Sequence, residues 1–138
     1  MSMGEVRCVT YSGDEKAIVR KGIDAIREVL LGQDNARKLS LLLALDWFMD
    51  PYFQQDISGM KEDLKELLQT VVVLSGDYDV SDDALNLLIS YTWPPFPILE
   101  RNLDRVPEKL KADVLYAINM EEEIKKEMRK SSAGKEKT

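Results

Sequence analysis

Laid on itself with an offset of 46 residues and no gap, the chain matches residues 35–74 to residues 81–120 at eight of forty positions. The matches include Trp47 with Trp93 and Pro51 with Pro97, beside Leu39/Leu85, Leu41/Leu87, Leu42/Leu88, Glu62/Glu108, Leu64/Leu110 and Lys65/Lys111. Ordinary compositions give about two to four identities over such a window by chance. Apolar residues also exchange at Leu43/Ile89, Ile57/Leu103, Leu68/Val114 and Val72/Ile118. A matched tryptophan and a matched proline constrain the fold more than matched leucines do, because both residue types are scarce.

Helical repeats of about 40–47 residues are the signature of HEAT- and armadillo-type solenoids. The fold class expected is therefore all-α, a short HEAT/armadillo-like superhelix of about five helices with a disordered C-terminal tail. Local patterns agree. Residues 35–50 ("NARKLSLLLALDWFMD") are apolar nearly all round, as in a helix covered on several sides. The stretch 81–92 ("SDDALNLLISYT") has the same character, with Ser81 as the expected N-cap and Asp82 and Asp83 near the positive end of the dipole. Met60, Leu64, Leu67, Leu68, Val71 and Leu74 form one stripe at helical spacing, and Leu110, Val114, Ala117 and Ile118 form its counterpart behind Pro107.

One domain over residues 1–130 follows: a lead-in 1–12, a helix 13–31, repeat units 35–74 and 81–120, and a helical extension 121–130. The first helix starts at the capping box Ser12-x-x-Glu15, closes at Gly32, and buries Val19, Ile23, Ile26 and Leu30. Residues 131–138 ("SSAGKEKT") hold nothing apolar enough to bury and are expected to be disordered. Each unit bends at the same place, "DWFMDPYF" (46–53) and "YTWPPFP" (91–97), because proline stops the helix before it. Pro94-x-x-Pro97 has the spacing of a polyproline ligand, but it lies between two apolar segments and reads as a corner.

The chain has no histidine. That removes the common nucleophilic triads, the usual zinc ligands and the commonest general base near neutrality. No glycine-rich phosphate cradle is present. Asp77, Asp79 and Ser81 match the first positions of a calcium loop, yet Asp82 replaces the turn glycine and Leu88 the closing glutamate, so no metal and no cofactor are expected. The carboxylate pairs Glu62/Asp63, Asp82/Asp83 and Glu121–Glu123 fall at helix starts or in a charge run, where solvated faces are the rule. Cys8 alone cannot form an internal disulfide, and the longest apolar run (39–49) is too short to span a bilayer. No leader segment is read, and a cytoplasmic location without membrane contact is expected.

Net charge is −6, which argues against nucleic-acid binding and is compatible with a basic protein partner. The expected function is a non-enzymatic protein-binding module, in particular a small acidic inhibitor or immunity-type protein that neutralises a basic partner such as a bacterial toxin. Contact residues expected are Asp77, Asp79, Asp82 and Asp83, which would steer encounter, with Trp93 and Phe96 as aromatic anchors. The competing expectation is a small helical enzyme or ligand-binding protein with an inter-helix pocket built from Tyr11, Tyr52, Tyr91, Tyr116 and Asp46, or a scaffold subunit of a larger assembly.

Overall fold

The computed structural model describes residues 13–136; the lead-in 1–12, with Cys8, Tyr11 and the Ser12 end of the expected capping box, lies outside them. Among the described residues there are seven α-helices and no strand: α1 (Gly13–Lys21), α2 (Ile23–Leu30), α3 (Asn35–Met49), α4 (Lys61–Leu74), α5 (Tyr78–Tyr91), α6 (Pro97–Arg101) and α7 (Lys111–Glu136). Short 3₁₀ turns fill the connections at Pro51–Phe53, Ser58–Met60, Leu103–Arg105 and Glu108–Leu110. No described helix is long and apolar enough to cross a membrane.

The single helix expected over 13–31 is instead two. Gly22 breaks it with φ 111°, a conformation open to glycine and strained for any residue with a Cβ. The break turns α1 so that Lys16 and Arg20 lie over the rings of Trp47 and Phe48, at 4.3 and 5.6 Å, while Val19, Ile26 and Leu30 remain in the core.

The N-caps of α3 and α5 are aspartates. Asp34 accepts a hydrogen bond from the Arg37 amide, and Asp77 from the Val80 amide, both at 3.1 Å. Ser81, expected as the cap of α5, lies one turn inside it, is fully buried, and donates to the Val72 carbonyl of α4 at 3.1 Å. A serine hydroxyl can cap a helix or satisfy a neighbour's carbonyl, and here the neighbour's end is the closer need. Ser75–Asp77 link α4 and α5 tightly, Gly76 taking φ 73°, and these two helices make the most extensive pairing in the molecule.

α3 and α5 run parallel, with matched ends in contact. Asn35 donates to Asp77 at 3.3 Å where both helices begin, and the Tyr91 hydroxyl donates to Asp46 at 2.6 Å where both finish. Leu39, Leu42, Leu45, Leu85 and Leu88, which include matched positions of the repeat, are all buried. The tryptophans do not share this equivalence. Trp47 is still inside α3, half-buried against Phe48 and Phe53, whereas Trp93 lies beyond the end of α5 and is 49% exposed.

The proline-rich stretch after α5 is a corner, held from a distance. Phe96 is fully buried, and Pro97 is the first residue of α6. No side chain of its own segment caps that short helix. Gln69, buried in the middle of α4, does so instead: its Oε1 accepts from the Ile98 and Leu99 amides at 3.0 and 3.4 Å. Its Nε2 donates to the Lys65 carbonyl at 3.2 Å, so both ends of the amide are satisfied.

α7 carries the helix past residue 130 into the stretch expected to be disordered. Glutamate, lysine, arginine and alanine favour helix without any burial, and Lys125 pairs with Glu121 one turn away at 3.3 Å. No described side chain after Met120 is buried.

Candidate functional site

α5 carries most of the residues expected at the site, and its geometry divides them. Asp77, Asp79, Asp82 and Asp83 occupy its N-terminal half, whereas Trp93 lies two residues beyond its C-terminal end. A helix of fourteen residues is about 21 Å long, so the acids and the tryptophan cannot belong to one contact point. Phe96 is not at the surface at all. A contact through it would require the corner to open.

The acids are not equivalent either. Asp77 is engaged as the cap of α5 and as the partner of Asn35. Asp79, Asp82 and Asp83 form a face that Asp113 of α7 joins across the helix packing. Burial raises the Asp82 carboxyl above the usual range, and Asp113 and then Asp79 push it the same way. Burial likewise raises Asp83, with Asp82 and then Asp79 adding to it. Every cause acts in one direction. The fold therefore holds these carboxylates together at a cost, which the proteins' usual alternation of charge would avoid. Among the described residues no group of three or more acids, cysteines or histidines is arranged to hold a metal ion, so the carboxylates repel across a surface without converging on a point.

Asp83 also stands beside a groove of about 320 Å³ between α3 and α5, with Leu42, Leu43 and Leu87 along it and Asp46 also lining it. Asp46 is exposed and holds the Tyr91 hydroxyl. Burial, followed by that hydrogen bond, keeps the Tyr91 phenol protonated well above the usual tyrosine range. A phenol so held is a poor acid, which weakens any case for it as a proton donor in catalysis. Tyr52 is 83% exposed and Tyr116 about half exposed, so the tyrosines do not converge on a pocket; Tyr11 lies outside the described residues.

Trp93 borders a second, larger groove of about 640 Å³ with Met49, Ile57, Lys61, Lys65 and Pro94. Glu62 lines it beside the two lysines, so it mixes apolar surface with charges of both signs, unlike the acidic face at the other end of α5.

Two features escape sequence reasoning. Asp113 joins the acids only through the approach of α7 to α5. The apolar positions of the α3–α5 groove read in sequence as ordinary core leucines, and nothing local distinguishes a leucine that floors a groove. Comparison with known protein families, with curated proteins and with solved structures gives no significant match.

Proposed function

We propose that the protein is a non-enzymatic binding module whose acidic α5–α7 face, continued by the α3–α5 groove, receives a basic protein. The observation that carries this reading is the clustering of Asp82 and Asp83 with Asp79 and Asp113: burial raises both carboxyls first, and the charges of Asp113 and Asp79 on Asp82, and of Asp82 and Asp79 on Asp83, raise them further. A fold gains nothing from such a set in isolation, whereas a cationic partner relieves it on contact. The leucines of the adjoining groove give that partner an apolar seat, and the charges accelerate encounter. A small inhibitor or immunity-type protein that covers a basic partner such as a bacterial toxin is the form of module this arrangement suits, acting in the cytoplasm. The parallel run of α3 and α5 supports a finer reading of the two units as stacked HEAT-like repeats, limited to the helices by the different surroundings of Trp47 and Trp93.

The test is capture of partners from the native host by the wild-type chain and by Asp82→Asn/Asp83→Asn/Asp113→Asn. A partner with a basic surface, bound at a rate that falls with salt and lost in the triple variant while that variant stays folded, is the expected result. A partner held equally well by both proteins, or one bound at a rate indifferent to salt, refutes the reading.

A further inference from the structure

The groove of about 320 Å³ between the parallel helices α3 and α5 has an acid toward each end. Asp46 holds the Tyr91 hydroxyl at 2.6 Å, and Tyr91 follows Asp83 by eight residues of α5. Asp83 and Asp46 therefore stand two helical turns, about 11 Å, apart along the groove. Between them lie Leu42, Leu43 and Leu87, with the uncharged Asn86 and Ser90 at the margin. Among the described residues no basic side chain lines this groove, and neither acid is in an ion pair. Leucines between two carboxylates match an aliphatic stretch flanked by two cations.

The walls of the groove decide the conformation of that stretch. An extended strand pairs its amides and carbonyls at a sheet edge, and the described residues contain no strand. An extended segment would therefore press unpaired backbone onto the leucines. A helix satisfies its own backbone and settles into the furrow between two others. On a helix, positions i and i+7 share one face two turns apart, with i+3 and i+4 between them. We infer that the groove receives one amphipathic helix of the basic partner, with lysine or arginine at i and i+7 held by Asp83 and Asp46, and an aliphatic side chain at i+3 or i+4 seated on Leu42, Leu43 and Leu87. This inference rests on the function proposed above and supplies its recognition element. The neighbouring Asp79, Asp82 and Asp113 steer the approach, and the groove sets the register.

The probe is an alanine-based peptide of about 18 residues, long enough to be helical alone, with lysine at i and i+7 and leucine at i+3 and i+4. It is titrated into the full chain carrying methyl-labelled leucine. An isomer of the same composition and charge has its second lysine at i+9, on the opposite side of the helix. The first peptide should shift the Leu42, Leu43 and Leu87 methyl signals saturably and bind about two- to fivefold more tightly than the isomer, the worth of one partly exposed ion pair. Asp46→Asn, which keeps an acceptor for the exposed Tyr91 hydroxyl bond, should remove most of that advantage. No saturable response of these leucines, equal affinity for the two isomers, or an advantage that survives Asp46→Asn would each overturn the inference. Capture of a native basic partner that depends on Asp82, Asp83 and Asp113 but not on Asp46 would overturn it as well, while leaving the proposed function intact.

Discussion

Replacing Gln69 with leucine should cost this protein more than its unremarkable place in the middle of α4 suggests. The side chain is 2% exposed, and its oxygen is the acceptor for the Ile98 and Leu99 amides, which begin α6 without any cap of their own. A buried amide left without an acceptor costs about 1–3 kcal/mol. Leu99 is fully buried, so its amide bears that cost in full, while Ile98 is half-buried and recovers part of its bond from water. The added apolar surface of leucine returns about 1 kcal/mol. The net loss expected is about 2–3 kcal/mol, or roughly 6–12 °C in the midpoint for a domain of this size. Thermal and urea unfolding followed by far-UV circular dichroism measure it, and amide exchange at Ile98 and Leu99 should accelerate. Gln69→Glu keeps acceptor oxygens at the same place but sets a buried carboxylate against the Lys65 carbonyl to which the Gln69 amide donates, so its loss should shrink as pH falls and the carboxyl protonates. A leucine variant within about 0.5 kcal/mol of wild type, with unchanged exchange at both amides, would refute the remote cap.

Two further outcomes are expected. Asp82→Asn/Asp83→Asn should be more stable than wild type near neutrality by up to about 1 kcal/mol, a figure kept small because both carboxyls face water in part. A carboxyl whose folded pKa lies above its unfolded value binds protons more tightly in the fold, so the wild type loses stability as pH rises between the two values. The gain of the double variant should accordingly be present above that window and vanish below the unfolded carboxylate range, and it should shrink in high salt; an equal gain at acid and neutral pH would contradict the repulsion. Gly22→Ala should cost about 1–3 kcal/mol although nothing lies within 4 Å of the added Cβ, because the backbone there has φ 111°. Chemical denaturation checks this, and a neutral effect would mean that α1 and α2 can join without strain.

The helices were legible where burial imposes a period. Residues 35–49, 61–74 and 78–91 carry apolar spacing strong enough to fix type and approximate extent. Boundaries were less legible, since Ser81 and Asp77 are both competent caps and the choice depends on the Val72 carbonyl, which belongs to another helix. An isolated glycine in an apolar pattern, such as Gly22, is compatible with a continuous helix; the break reflects the need of α1 to fold back onto α3. Phe96 shows the same limit from the other side. In a proline-rich connector an aromatic residue looks like a surface anchor, and only the distant Gln69 and the packing of α6 draw it into the core. For the site, the acids near Asp82 were readable as a cluster, but their repulsion with Asp113 was not, because it arises between segments thirty residues apart.

The length of α7 has a mechanical consequence. Twenty-six residues make a rod of about 39 Å, nearly twice the span of α4 or α5. Among the described side chains none after Met120 is buried, so the later turns of that rod leave the core behind. A helix that outlasts its burial is held at one end by packing and at the other only by its own hydrogen bonds, so amide exchange along α7 should quicken steadily beyond Met120.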